Sequence, residues 1–527
     1  MNPGSSLDRE EKKLFYLALG LSFLASMAAV WGVPLLPMQD APHHIFESMV
    51  LSTYDDPSYN WKDYYQAGFT FGPYSLLYNL LWFFMKFLSP VGSGKMFVTL
   101  SLFVTLYLAV KIARESPEVK SPWPLLLVFP LFFTHMYYYG FMPILLGAPV
   151  TLLLLSDVEN LKKRNYSPKE WCVTGILLYA LFASHPSSIL AFFLLGSLSS
   201  LSALPDKRGF WRSLAPAAAL LVCFAIWYLV FFRPADEATG VPATYFWRSF
   251  SGNLASLILP FTGMKLFNGI SFPDLILWLL IFFGALFLVF REREEVTKPG
   301  STSLFLAVSV AWFLLMPFRF GRYAFFNVRM SPYVYWFLAL LLTRLRLSRQ
   351  WGATLLAVCL ALTGLTWKRN LDISSEKEEL LPLLSLMEKN RLLMPVKFNP
   401  YSRHIDSDFF DIHVHDPIYY HLLVGGGADT NLFLSPMRPV SFKKDSMFAE
   451  DFEPRVLYDF DENDPEAYTI EPQYARALAN WSGTVDYLLI RGKTDRLISY
   501  LSDGFTLPVR QNGMWFLIAR DQSLLRD

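Results

Sequence analysis

LFYLALGLSFLASMAAVWGVPLL, residues 14–36, is followed directly by PMQDAPHHIFE, residues 37–47. The first segment is an apolar run long enough to cross a bilayer as a helix. The second concentrates carboxylate and imidazole side chains where a membrane protein would ordinarily begin a loop. We therefore predict a membrane span that ends at the segment of this chain best suited to chemistry.

The composition places the chain among membrane proteins. Of its 527 residues, 53% are hydrophobic and 17% are aromatic, which is too apolar for a soluble multi-domain protein of this length. The formal net charge of +1 provides no excess for holding nucleic acid, so basic clusters are interpreted as topology signals or anion sites. The predicted fold class is a polytopic α-helical membrane protein.

Apolar runs of about 17–25 residues mark candidate spanning helices. They predict about eleven spans, at 14–36, 95–112, 122–139, 141–156, 170–184, 187–204, 213–232, 272–290, 302–317, 330–343 and 351–367. With the N-terminus in the cytoplasm, the basic clusters of all five inner loops face inward, as the positive-inside rule requires. This orientation makes the apolar stretch Tyr74–Leu88 interfacial or re-entrant, because a further span there would invert every later loop.

An odd number of spans places the polar segment 370–527 outside the cytoplasm. Its end is typical of two strands around a helix, at 485–490, 495–501 and 513–518. We predict a transmembrane domain at 1–369, whose first outer loop 37–94 contains juxtamembrane helices, and an extracytoplasmic α/β domain at 370–527. All eight histidines then lie on the outer side, although simple tolerance of histidine at interfaces explains this equally well.

The ionisable segment has helical spacing. If a helix begins near Pro42, then Asp40, His43, His44 and Glu47 stand at i, i+3, i+4 and i+7 and share one face. This predicts an interfacial helix with an acidic and imidazole stripe. The alternative is that Asp40 is only an N-cap and that Glu47 is a solvated charge.

Arg319, Arg322 and Arg329 lie in or beside a short outer loop, against the inward bias of positive charge. The guanidinium fork binds phosphate oxygens bidentately, so a lipid phosphate is one explanation, and contact with ordinary phospholipid head groups is the other. His185 joins two paired helices on the same side. The long outer loop 233–271 is a candidate lid over such a site.

No cofactor is certain, and a divalent metal is left open. Asp40 with His43 or His44 offers nitrogen and oxygen ligands at helical spacing, and the sequence His413-Val414-His415-Asp416 would put two imidazoles on one face of a strand. Neither spacing is diagnostic. HExxH, Walker-type and GxSxG motifs are missing from the sequence, so nucleotide hydrolysis and zinc proteolysis are unsupported.

The layout resembles the GT-C superfamily of membrane glycosyltransferases, which use polyprenyl-phosphate sugars. The resemblance lies in an N-terminal span, an outer loop that opens with an Asp at Leu36-Pro37-Met38-Gln39-Asp40, juxtamembrane segments, many further helices and a C-terminal extracytoplasmic domain. It implies that Asp40 is the catalytic base. The second acidic residue common in that family is missing, because Ala41 follows Asp40 and the later turn is Tyr138-Tyr139-Gly140-Phe141.

The resemblance implies an enzyme that transfers a hexose or pentose, with inversion, from a polyprenyl-phosphate carrier to an extracytoplasmic glycan, lipid or protein. Its expected partners are that donor, the acceptor and membrane lipids, without nucleic acid, and its expected location is a bacterial inner membrane. The candidate substrate-binding residues are His43, His44, Glu47, His185, Arg319, Arg322 and Arg329.

Two other functions stay open at this point. One is a polysaccharide ligase or polymerase that uses a lipid-pyrophosphate donor. The other is an inactive scaffold that keeps the GT-C-like fold, because fold alone does not establish activity. A lipid-linked glycan transporter is disfavoured, since the spans hold few ionisable residues away from their ends.

Overall fold

The computed structural model describes residues 9–232, 244–258, 284, 300–321, 325–397, 399, 401–404, 411–429, 438–443, 484–492 and 509–526. Most of these residues are helical. The α-helices are α1 Arg9–Trp31, α2 Ala41–Thr53, α3 Trp61–Tyr64, α4 Ser75–Phe84, α5 Pro90–Glu115, α6 His135–Tyr138, α7 Met142–Lys163, α8 Pro168–Phe182, α9 Pro186–Leu201, α10 Lys207–Trp227, α11 Phe250–Ile258, α12 Ser301–Leu315, α13 Ser331–Leu342, α14 Arg349–Glu378, α15 Leu381–Ser385 and α16 Tyr419–Leu423.

The strands form three small sheets among the described residues. They are β1 Tyr65–Ala67, β2 Thr244–Phe246, β3 Arg319–Gly321, β4 Leu392–Lys397, β5 Ala428–Asp429, β6 Val440–Phe442, β7 Tyr487–Arg491, β8 Val509–Asn512 and β9 Trp515–Ala519. β1 pairs antiparallel with β6, and β2 pairs antiparallel with β3. The largest sheet has the order β5-β4-β7-β9-β8, in which β4 runs parallel to both of its neighbours and the other pairs are antiparallel.

Five helices in the described part of the chain are long and apolar enough to cross a membrane. They are Arg9–Trp31, Pro90–Glu115, Met142–Lys163, Lys207–Phe231 and Arg349–Ser385. Shorter apolar helices accompany them at Ser75–Phe84, Pro186–Leu201, Ser301–Leu315 and Val328–Leu342. The protein is thus an integral membrane protein. The total of eleven spans stays a prediction, and the predicted span 272–290 lies outside the described residues apart from position 284.

The predicted span 122–139 is wrong as a continuous α-helix. The segment consists of two 3₁₀-helical stretches, Trp123–Val128 and Pro130–Phe132, followed by the short helix α6. Proline contributes to the break, because Pro130 has no N–H to donate to the preceding turn. Hydropathy alone does not register this effect.

α4 is too short to span a bilayer as a helix. Its ten residues are about 15 Å long, roughly half the thickness of the hydrocarbon core. This length agrees with the prediction that Tyr74–Leu88 is interfacial or re-entrant.

Contacts divide the chain into two units. Unit 1 comprises residues 1–32, 71–77 and 96–369, and unit 2 comprises residues 33–70, 78–95 and 370–527. Most of the predicted first outer loop therefore belongs with the C-terminal residues, and the pairing of β1 with β6 is one reason. Within unit 1, α7 is buried along nearly its whole length and packs against α8, α9 and α10.

The five-stranded sheet belongs to unit 2. All five residues of β7 are buried, and β7 is the central strand of the order given above. β7 and β9 lie at the two predicted strands, each shifted by one or two residues. The predicted helix at 495–501 lies outside the described residues. A turn at Gly425–Gly427, with positive φ at all three glycines, leads into β5.

We expect Gly427→Ala to destabilise unit 2. Gly427 has φ +76°, and a Cβ there would collide with the backbone carbonyl of Arg391. The strained backbone alone costs about 1–3 kcal/mol, and the collision adds to it. Unfolding in detergent should show a lower midpoint for this variant. Gly68→Ala is the control, because a Cβ at Gly68 meets open space. Equal unfolding midpoints for both variants would contradict the positive φ and the close backbone contact at Gly427.

Candidate active site

The helix that contains the ionisable segment begins as predicted, at Ala41, with Pro42 in its first turn. Asp40 occupies the N-cap position with helical backbone angles, φ −88° and ψ −12°, and its side chain makes no capping hydrogen bond. Capping side chains ordinarily accept from the first turn on an extended backbone. The carboxylate instead faces His415, whose Nε2 lies 3.5 Å from Asp40 Oδ1. The reading of Asp40 as only a cap therefore fails.

α2 is buried in the protein over most of its length, so the predicted acidic and imidazole stripe does not face solvent. Every residue from Ala41 to Val50 is buried, and the exposed fraction of both His43 and Glu47 is 0%. The polar side chains do share one face, as their spacing predicts. That face meets other protein groups of unit 2, so its charges are satisfied by specific partners.

His43, His44 and Glu47 of α2 each contact a side chain from a distant part of the sequence. The His43 ring packs edge-on against the His415 ring, with centroids 4.2 Å apart. His44 Nδ1 lies 3.1 Å from the hydroxyl of Tyr78. Glu47 Oε1 accepts a hydrogen bond of 2.5 Å from Arg438 Nη1. These contacts extend the four predicted residues into a larger buried cluster.

Burial controls the ionisation of this cluster. It lowers the pKa of His44 well below the usual range, and the charges of Arg438 and His415 lower it further. It raises the pKa of Glu47, although the ion pair with Arg438 opposes the change. His44 is therefore a neutral hydrogen-bonding group near pH 7.

A buried ion network lies beside this cluster in unit 2. His413 Nδ1 is 2.6 Å from Asp416 Oδ2, and His413 Nε2 is 2.8 Å from Glu376 Oε2. A carboxylate oxygen only accepts, so both ring nitrogens of His413 donate. Arg403 donates to Glu376 at the rim of the network, at 3.1 Å. The side chains of His413, Asp416 and Glu376 are completely buried.

The ammonium of Lys377 completes the network. It donates to three acceptors, Asp416 Oδ1 at 2.5 Å, the Ile412 carbonyl at 3.1 Å and the Met38 carbonyl at 3.3 Å. An ammonium has three donors, so all of them are used. Burial by itself would raise the pKa of Asp416, but Lys377 and His413 outweigh it and hold that pKa well below its usual range.

The predicted strand at His413–His415 is wrong, and with it the idea of two imidazoles on one strand face. The segment is a turn that leads into a 3₁₀ helix at Asp416–Ile418, and the two histidines face different carboxylates. In the described part of the chain, no group of three or more His, Cys, Asp or Glu side chains is arranged to hold a metal ion.

His421 has a structural role in the core of unit 2. Its ring packs against Phe46 and Trp61, and its Nδ1 lies 2.8 Å from the carbonyl oxygen of Gly426. Burial lowers the pKa of His421 to about 4, although the hydrogen bond to Gly426 opposes this. The ring is therefore neutral in the folded protein near pH 7.

Two predicted residues meet in unit 1. Arg329 is buried in a 3₁₀ turn, with Nη1 3.2 Å from His185 Nε2 and the guanidinium 4.7 Å from the centroid of the Phe141 ring. His185 is the N-cap of α9, and its Nδ1 accepts from the Ser187 N–H at 3.0 Å. A neutral imidazole that accepts at Nδ1 is protonated at Nε2. Arg329 Nη1 and His185 Nε2 are therefore both donors in this assignment of the ring proton.

The other two arginines that the sequence suggested do not join this contact in the described part of the chain. Arg319 is exposed on β3, opposite Phe246 of β2, and Arg322 lies outside the described residues. Of the predicted lid 233–271, only 244–258 is described, and it forms β2 and α11. Asp40 belongs to unit 2, whereas Arg329 and His185 belong to unit 1, and their convergence on one cavity stays a prediction.

Comparison with known proteins identifies the fold. No protein-family model matches the sequence, and no curated protein does. Among solved structures, ArnT from Cupriavidus metallidurans bound to undecaprenyl phosphate matches 97% of this chain and 99% of its own, with a TM-score of 0.53 and 11% identity. The same protein in the apo state matches 98% and 99%, with a TM-score of 0.55 and 12% identity. The chain has the ArnT fold.

At this level of identity the likeness to ArnT shows the fold, and it confirms the resemblance to the GT-C glycosyltransferases as a resemblance of fold. Within the ArnT fold, sequence reasoning missed Glu376, Lys377, Tyr78 and Arg438. No sequence signal singles out the first two, because residues 368–379 contain seven ionisable side chains and Glu376 and Lys377 are only two of them.

Removing the buried ammonium should strongly destabilise the protein. Lys377→Met leaves Asp416 charged, buried and without its closest cation, which typically costs about 3–5 kcal/mol. Unfolding in detergent, followed by heat or denaturant, measures this loss. The control is Lys62→Met, because the pair of Lys62 with Asp55 is exposed and screened by water, so it contributes little to stability. Similar losses for both variants would show that the Lys377 site is not buried.

The stability of the wild type should fall as the pH drops from about 6.5 to about 4. Unfolded His421 takes up a proton in that window, whereas the folded ring, with its pKa lowered to about 4, does not. His421→Gln keeps a donor for the Gly426 carbonyl and removes this proton uptake. We expect its loss of stability over the window to be smaller by up to about 3 kcal/mol. Parallel pH profiles would contradict the burial of a neutral His421.

Proposed function

We propose that this protein is a membrane glycosyltransferase that takes a sugar from a polyprenyl-phosphate carrier and delivers it to an extracytoplasmic acceptor. The observation that carries the proposal is the fold likeness, along nearly the whole chain, to an ArnT structure with bound undecaprenyl phosphate. Membrane helices provide the surroundings that such a lipid carrier requires. The buried polar clusters of the two units supply chemically suitable groups.

In this proposal Asp40 is the general base. Its side chain is 15% exposed, and it makes no capping bond, so the carboxylate is available to accept a proton. The acceptor oxygen attacks the anomeric carbon while its proton passes to Asp40, and the bond between that carbon and the carrier phosphate oxygen breaks. Direct displacement of this kind inverts the anomeric centre. A positioned general base typically contributes about 10²–10⁴-fold to the rate.

Arg329 and His185 are the proposed ligands of the carrier phosphate. Their two donors, Nη1 and Nε2, are 3.2 Å apart and both suit an oxyanion. A guanidinium that is already fixed in place stabilises the leaving phosphate without further reorganisation. The Phe141 ring beneath the guanidinium helps to fix its plane.

His43, His44 and Glu47 take supporting roles in this proposal. They are almost completely buried, and His44 and Glu47 are bonded to Tyr78 and Arg438. We therefore assign them to holding α2 in position, while contact with the sugar or carrier is left to more accessible groups. Exposed Arg319 remains a candidate for such contact.

The test uses purified protein in detergent with an undecaprenyl-phosphate monosaccharide, together with transfer of labelled sugar to acceptors in isolated membranes. Asp40→Asn should keep carrier binding and lose transfer by about 10²–10⁴-fold, since only the base is removed. Arg329→Gln should weaken carrier binding at least about tenfold, as expected for loss of a charge-assisted hydrogen bond.

The matched control for the second variant is Arg208→Gln, which removes an arginine from an exposed position of the same unit. Unfolding midpoints of all variants are compared first, so that loss of fold is not mistaken for loss of function. If the wild type binds no polyprenyl-phosphate sugar, the proposal is wrong. Binding of a lipid-pyrophosphate oligosaccharide instead would identify a ligase or polymerase.

A further inference from the structure

We propose that His415 is a positioning residue for Asp40, and this inference rests on the function proposed above. The segment 411–418 would then contribute to the active site as well as to folding. The starting observation is the 3.5 Å approach of His415 Nε2 to Asp40 Oδ1.

The position of His415 is fixed from both sides along the chain. Two residues before it, His413 is held between two buried carboxylates, those of Glu376 and Asp416. Directly after it, Asp416 is bonded to the ammonium of Lys377. Backbone hydrogen bonds from Val414 to Asp411 and from Ile418 to His415 close the turn. The imidazole therefore stands on a rigid support.

Glu376 and Lys377, which hold the His415 turn, belong to helix α14. The same helix also fixes the backbone near Asp40. Lys377 donates to the carbonyl of Met38, two residues before Asp40. The Leu35 N–H donates to Ser374 Oγ at 3.1 Å. One face of α14 thus holds both the loop that leads to Asp40 and the turn that contains His415. The distance between carboxylate and imidazole is consequently set by a single buried network.

The ring of His415 has little freedom to turn away. It is 6% exposed, and the His43 ring packs against it at an interplanar angle of 78°. The imidazole lies beside one carboxylate oxygen, Oδ1, and leaves Oδ2 for the acceptor hydroxyl. During transfer the proton of that hydroxyl moves to Asp40, the new bond to the anomeric carbon forms and the phosphate leaves with the electron pair. His415 is not consumed in any step.

Without His415, the carboxylate of Asp40 could rotate freely. A small error in the placement of a catalytic group can lower the rate of the chemical step about 10²-fold. Loss of His415 should therefore lower kcat and leave KM and the affinity for the carrier unchanged. A purely structural histidine would instead alter stability, or kcat and KM together.

The experiment compares His415→Phe, which keeps a ring against His43, with His415→Gln, which keeps an N–H donor. We expect His415→Phe to lower kcat about 10–100-fold with unchanged KM. His415→Gln should retain most of the activity. His404→Ala is the control, because His404 is 44% exposed and faces Glu376, at 3.9 Å. If His415→Phe does not fold, His415→Leu replaces it in the comparison.

A double-mutant cycle with Asp40→Asn separates positioning from an independent effect. If His415 acts through Asp40, the substitution His415→Phe should have almost no further effect on kcat in the Asp40→Asn background. Additive losses would overturn the inference, and so would wild-type kcat in His415→Phe. These outcomes differ from failure of the proposed function, in which the wild type itself transfers no sugar.

Discussion

The buried ammonium of Lys377 is the constraint on which the rest of unit 2 depends. Removing such a charge from water costs several kcal/mol unless acceptors surround it. Its three acceptors come from the loop before Asp40, from the backbone at Ile412 and from Asp416. The loop before Asp40 is more than 370 positions away from the segment that contains Ile412 and Asp416, so the charge is satisfied only when these two parts of the chain are assembled. An apolar side chain of similar size would tolerate many other arrangements.

The same requirement explains why charges accumulate at this place. Lys377 and His413 carry the positive charge, Asp416 and Glu376 carry the negative charge, and all four side chains are completely buried. Each carboxylate is shared between partners, and Arg403 binds Glu376 from the exposed side. The network is therefore balanced internally. A balanced network adds less to stability than its number of contacts suggests, but it allows only one geometry.

The sequence predicts those parts of the fold that local patterns determine. Length and hydropathy locate α1, α5 and α7, and Pro42 marks the start of α2. The prediction of one continuous helix at 122–139 failed, because a hydropathy scale takes no account of the backbone restrictions of proline. The burial of α2 could not be predicted for a different reason. Its partners Tyr78, His415 and Arg438 are about 30 to 390 positions away in the chain. Helical spacing puts polar groups on one face but does not tell whether water or protein meets that face.

The contact of Arg329 with His185 shows how one backbone hydrogen bond can decide which nitrogen of a buried imidazole donates. The N-cap bond from Ser187 fixes the tautomer of His185, so the nitrogen that faces Arg329 is a donor. Both side chains are buried, so the placement of the ring proton depends on this local bond. Sequence alone hides it, because neither residue type nor spacing reveals which ring nitrogen holds the proton.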